Sequence, residues 1–138
     1  MVNKARFIHL VSAVLGVAIV ILNATPNCVL MRFMGDPAYG DAYYYSYHSG
    51  FSLVPVGYAV WGAMLAGIGS GVLTLLSLVG IFRDSTRLRR WQLAVTIGSL
   101  LAVLSLLIVG SMTYISGIIS VILASEAVLL FVNCRRKL

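Results

Sequence analysis

Between Trp91 and Val132 the chain runs 42 residues with a single acidic side chain, Glu126, and no Lys, Arg or Pro. As one helix this stretch would be a rod of roughly 63 Å, about twice the ~30 Å hydrocarbon thickness of a bilayer. It therefore reads as two membrane-spanning helices joined by a tight turn near Gly110-Ser111, with the glutamate inside the second. The expected fold class follows: an all-α integral membrane protein, a bundle of four transmembrane helices.

Composition supports that class. Of 138 residues, 60% are hydrophobic and 10% charged, and the mean hydropathy is +0.99. A soluble domain carries about a quarter charged residues and could not hide this much apolar surface at such a size. The net charge of +6 would suggest nucleic acid in a soluble protein. Here the basic residues fall in short clusters beside apolar spans, the pattern of membrane anchoring, so no nucleic-acid partner is expected. No residue set has metal-site spacing, and no cofactor is expected.

The first span is read at about 7–23, after Lys4 and Arg6. Its end carries the sequon Asn23-Ala24-Thr25, read as a helix C-terminal asparagine at the membrane edge rather than a glycan site. Residues 24–50 form the one sizeable loop, with a Gly35-Asp36-Pro37 turn signature. Tyr39, Tyr43, Tyr44, Tyr45 and Tyr47 crowd its second half. Rings with a hydroxyl suit the headgroup level, and a cluster of them also suits a partner-binding surface.

The second span is read at about 52–82, the connector at 83–90, the third span at about 91–109, the fourth at about 112–132 and a basic tail at 133–138. Small residues recur every four positions along three spans. They are Ala59, Ala63, Gly67 and Gly71, then Ala94, Gly98 and Ala102, then Ser116, Ser120 and Ala124. Such stripes let helices approach closely and pack by van der Waals contact.

Four spans place both termini on one side. With that side cytoplasmic, Lys4, Arg6, Arg83, Arg87, Arg89, Arg90, Arg135, Arg136 and Lys137 lie inside and only Arg32 outside. The loop of residues 24–50 then faces outward, in what is expected to be the plasma membrane, with anionic headgroups at the inner face. Cys28 and Cys134 fall on opposite sides and are not expected to pair.

Glu126 needs an account, because an ionised carboxylate in hydrocarbon is expensive. Distances counted from the basic anchors put Ser12, Thr74, Ser77, Thr96 and Ser99 in the same half of the bilayer, with His9 shallower. A polar layer around Glu126 is therefore expected. In size and in having a membrane carboxylate the chain resembles small four-helix multidrug exporters. Their acid sits in the first helix, whereas this first span has none, so the family is not assigned.

Two functions follow. The first is a small non-enzymatic accessory, assembly or regulatory subunit, packing against a larger membrane protein or against itself. The alternative is a small oligomeric transporter or channel that uses Glu126. An enzyme is disfavoured: Asp36 and Asp41 read as turn residues, His48 as a loop residue, and Gly67-Ile68-Gly69-Ser70-Gly71 has no following Lys to hold phosphate.

Overall fold

The computed structural model describes residues 4–35, 40, 43–52 and 61–135. Its elements are helix α1 (Lys4–Ala24), strands β1 (Val29–Met34) and β2 (Tyr43–His48), and helices α2 (Trp61–Phe82), α3 (Thr86–Val109) and α4 (Tyr114–Arg135). All four helices are long and apolar enough to cross a membrane.

The side-chain pattern shows which solvent they suit. On α1 the buried face reads His9, Ser12, Gly16, Ile19, Asn23, while the exposed face reads Phe7, Leu10, Val14, Val17, Ile21. On α3 the buried face reads Arg89, Gln92, Thr96, Ser99, Val103, Leu106, with Ile97 and Leu101 exposed. The polar residues are inside and the large apolar ones outside, the reverse of a water-soluble bundle. The chain is an integral membrane protein.

The helices form a ring in chain order. α1 packs most extensively on α2 and α2 on α3; α4 covers α3 and touches α1 least. Missing side chains permit the tight contacts. A Cβ at Gly16 would sit 3.1 Å from the Ser70 carbonyl oxygen and closer still to Thr74 Oγ1. A Cβ at Gly62 or Gly69 would strike α3 at Ala102 or Ser99. The hydroxyls of Ser70, Thr74, Thr96 and Ser120 donate to the carbonyl four residues back, so each is satisfied without water.

The expected small-residue stripes divide. Ala63 and Gly67 are buried, and so are Ser116 and Ser120, whereas Ala59 lies outside the described residues. Four positions do not pack against another helix of this chain. Ala94, Gly98 and Ala124 are exposed, and Gly71, like Gly98, would meet nothing within 4 Å if it gained a Cβ. The seam on α3 instead runs through Gln92, Thr96 and Ser99, one face over, and Ala102 is half-buried beside it. A strict spacing of four drifts around a helix of 3.6 residues per turn, so it does not stay on one face.

The connector is shorter than 83–90. Ser85 adopts extended backbone (φ −144°, ψ 151°) and accepts from the Leu88 N–H, capping a helix that begins at Thr86. At the other end of α3, Gly110 takes φ 71°, a conformation costly for any residue with a Cβ. The Ser111 N–H reaches Leu106 O at 2.9 Å and the Gly110 N–H reaches Leu107 O at 3.2 Å, the paired bonds of a Schellman stop. Thr113 then caps α4: the Ser116 N–H donates to its Oγ1, and its own N–H donates to Ser116 Oγ.

Within the stretch read as a loop, residues 29–34 and 43–48 form strands. β1 and β2 pair antiparallel from Val29↔His48 to Met34↔Tyr43. The Leu30 N–H donates to Ser111 O, Val29 bridges Met112, and Thr113 Oγ1 donates to Cys28 O at 2.7 Å. These bonds clamp the hairpin onto the α3–α4 turn. Cys28, Val29 and Met31 join one core with Ile19, Ala63, Val103, Leu106, Ile119 and Leu123.

Helix contact through absent side chains generates a paired test. Gly16→Ala should lower the stability of the detergent-solubilised protein by about 1–3 kcal/mol through overpacking. Gly98→Ala meets open space and should be neutral or stabilising by up to about 1 kcal/mol. Thermal unfolding of the two variants side by side measures the difference.

Candidate functional site

The polar side chains gather in the half of the bundle that carries both termini. The centre is His9, fully buried on α1. It lies against α2 where there is no side chain to obstruct it: a Cβ at Gly80 would be 2.6 Å from ring atom Nδ1. Its Nε2 lies 3.1 Å from Asp84 Oδ1, and its Nδ1 lies 3.2 Å from Gln92 Nε2. Gln92 Nε2 also donates to Ser77 Oγ at 3.0 Å.

An ionised carboxylate only accepts, so Nε2 carries the hydrogen and donates it to Asp84. The Gln92 amide nitrogen has two hydrogens, one for Nδ1 and one for Ser77. The ring thus carries hydrogen on Nε2, and its Nδ1 is hydrogen-bonded to the Gln92 amide.

Asp84 closes the layer at the terminal end. Arg89, buried on the first turns of α3, donates from Nε to Asp84 Oδ1 at 2.7 Å and pairs through Nη2 with Oδ2. The bidentate geometry fixes orientation as well as charge. The Arg89 guanidinium, and secondarily the His9 ring, hold the Asp84 carboxyl below its ordinary value of 3.8, at about 2.

Glu126 stands apart. It is fully buried on α4 and faces Ser12 of α1, one helical turn in from His9. Neither of its carboxyl oxygens has a hydrogen-bond partner among the described residues, and Ser12 Oγ, Gln92 Oε1 and Arg89 Nη1 are likewise unpaired.

Of the residues expected in this layer, Ser12 and Ser77 are there. Thr96 is buried one turn above Gln92 on the same helix face, and Ser99 is buried where α3 crosses Gly69. Thr74 lies further along, in the α1–α2 seam against Gly16. Sequence reasoning passed over Asp84, Arg89 and Gln92. The signal was present: Arg89, Gln92, Thr96 and Ser99 recur at spacings of three and four, one helix face.

A second polar node lies at the hairpin end. Asn23 Nδ2 donates to Ala63 O at 2.9 Å, its Oδ1 accepts from Cys28 Sγ, and its carbonyl accepts from the Gly50 N–H at 2.7 Å. A Cβ at Gly50 or Gly67 would collide with this amide. A side chain so enclosed has no room for a glycan. Cys28 is equally enclosed, and burial pushes its thiol up to about 11, although the Gly50 backbone pulls the other way.

The tyrosines divide by strand register. Leu30, Arg32, Met34, Tyr43, Tyr45 and Tyr47 share the outer face, with Arg32 stacked 3.6 Å over the Tyr43 ring. Tyr44 lies on the other face and stacks on Phe33 at 5.2 Å. Tyr43, Tyr44, Tyr45 and Tyr47 are all exposed, and Tyr39 lies outside the described residues. Three or more His, Cys, Asp or Glu side chains in metal-binding proximity do not occur among the described residues.

No family model, curated protein or solved structure matches this chain.

Two outcomes follow from the titrations. Asp84 has a depressed folded value, so its contribution to stability is complete above about pH 4 and fades as pH falls toward about 2. The difference in thermal midpoint between wild type and Asp84→Asn should shrink across that interval, which unfolding scans at several pH values will show. Cys28 should react with maleimide far more slowly than half-exposed Cys134 at neutral pH. Intact-protein mass spectrometry with peptide mapping gives both rates.

Proposed function

We propose that the chain is a small non-enzymatic membrane subunit that assembles with a larger membrane protein or with copies of itself, and that the outer face of its hairpin is the contact. One observation carries this reading. The hairpin is locked to the bundle by backbone bonds at Leu30–Ser111 and Val29–Met112, yet its outer face leaves Tyr43, Tyr45 and Tyr47 exposed around Arg32. Rigid rings held on a fixed scaffold bury area at small entropic cost, and Tyr and Arg are the residue types that dominate interface energies.

The orientation belongs to the same proposal. Nine basic residues at the terminal end against Arg32 alone support cytoplasmic termini and an outward hairpin, in a plasma membrane with anionic lipid inside. Packing supports assembly over conduction. The hairpin half of the bundle is filled by Ile19, Val103, Leu106, Ile119 and Leu123, an apolar plug that a water path would have to cross.

Affinity capture of the full-length protein in mild detergent tests the reading. A stoichiometric membrane partner or a defined homo-oligomer is expected. Replacing Tyr43, Tyr45 and Tyr47 together by Ser should reduce the recovered complex at least about tenfold while α-helical content is unchanged. A monomer with nothing bound, or a complex indifferent to the three substitutions, would contradict it. For orientation, Tyr45→Cys in a Cys134→Ser background should react with a membrane-impermeant maleimide added to whole cells.

A further inference from the structure

The ring of four helices closes most lightly between α1 and α4, and at the terminal end of that contact the two helices leave a groove of about 350 Å³. This lies within the ~300–1,000 Å³ range of small-molecule clefts. Its walls are Phe7 on α1 and Val128, Leu129 and Val132 on α4, all exposed. Its floor is Ile8, buried against Leu73 and Leu130, so the groove ends on apolar side chains.

The mouth is different. Lys4 and Asn133 complete the lining at the end nearest the termini, in the first turn of α1 and the last turn of α4. Val128 stands seven residues before Arg135, the end of α4, and is therefore about 10 Å deeper along the helix. The groove thus fits within one leaflet, whose hydrocarbon is ~15 Å thick.

Lys4 has no acid of its own. The chain holds four. Asp84 is engaged by Arg89 and His9, Glu126 is buried inside the bundle, and Asp36 and Asp41 fall between the two strands in sequence. Lys4 makes no ion pair among the described residues. An apolar trough that ends in an unpaired ammonium and a side-chain amide matches an amphiphile with a negative head.

The walls also discriminate between occupants. Helices meet in membranes through small residues that let their backbones approach. The walls here are Phe, Val and Leu, with no glycine, alanine or serine, so they hold a second helix off. An acyl chain is thin enough to lie between them, which brings its phosphate to the level of Lys4.

We propose that the α1–α4 groove is a binding site for an anionic phospholipid. One acyl chain lies over Ile8 between Phe7 and Val128, and the Lys4 ammonium and the Asn133 amide hold the headgroup. A zwitterionic lipid brings a cation of its own to the same place, where Lys4 repels it. The site goes beyond the general attraction of basic residues to a charged membrane face, because it uses one position on one face of α1. It rests on the membrane reading of the chain, and on neither the hairpin contact nor the direction of the termini.

Native mass spectrometry of the full-length protein released from mild detergent tests the site, with phosphatidylglycerol or phosphatidylcholine of identical chains added. One phosphatidylglycerol per chain should stay bound, and phosphatidylcholine should be retained less. Lys4→Gln should weaken phosphatidylglycerol retention about fivefold, the effect of one basic residue at an anionic headgroup. Arg6→Gln removes the same charge at the same level but on another face of α1, and should leave retention unchanged. Val128→Trp fills the groove from an exposed position without altering any charge, and should abolish retention. As a second readout, phosphatidylglycerol should raise the thermal midpoint of the wild type in detergent and not that of Val128→Trp. Equal retention of the two lipids, equal losses from Lys4→Gln and Arg6→Gln, or retention indifferent to Val128→Trp would overturn the proposal. So would a dimer cross-linked through Val132→Cys in a Cys134→Ser background, which assigns the groove to a second copy.

Discussion

The terminal half of this bundle depends on one imidazole. His9 comes from α1, rests where α2 has a glycine, donates to the connector at Asp84 and hydrogen-bonds to α3 through Gln92. Lipid supplies no hydrophobic force between helices, so close packing and satisfied polar contacts must hold them together. One side chain meeting three successive elements, with both ring nitrogens occupied, does both. The Asp84–Arg89 pair then ties the connector to the start of α3, and Ser85 caps the helix between them.

The hairpin half is held by different means. Its centre is apolar, and its polar contacts include backbone bonds between β1 and the α3–α4 turn, with Asn23 joining α1 to α2 through its side-chain amide and to the chain beyond β2 through its backbone carbonyl. The two halves thus have separate tasks. One makes a rigid seat for an aromatic strand pair. The other ties α1, the connector and α3 together through buried polar side chains.

The four helices were legible in the sequence because hydrocarbon thickness and the absence of charge over long stretches leave few alternatives. The hairpin was not. Val29–Met34 and the tyrosine segment carry strand-forming residues, but a two-stranded sheet is stable only against something, and that something is the α3–α4 turn, remote in sequence. The glycines of α2 were recognisable as packing residues, whereas the partner of each was not, since Gly62 and Gly69 face α3 while Gly67 faces Asn23. At the site, Glu126 announced itself by being the one acid in an apolar stretch. Asp84, Arg89 and Gln92 were hidden within a cluster that reads as membrane anchoring, because positive charge near a span has that role in most chains. The spacing of Arg89 and Gln92 with Thr96 and Ser99 marks one helix face, and the contact of Gln92 with His9 shows that this face turns inward.

Because the polar layer rests on the hydrogen-bonding state of His9, the tautomer of that ring is the most direct measurement. Solid-state nitrogen magnetic resonance on the full-length protein in lipid bilayers at neutral pH, with labelled histidine and His48 removed by substitution, reads it without a functional assay. The structure predicts hydrogen on Nε2, donated to Asp84, and an Nδ1 hydrogen-bonded to the Gln92 amide. A ring with hydrogen on Nδ1 and none on Nε2 would contradict the contact with Asp84 that ties α1 to the connector.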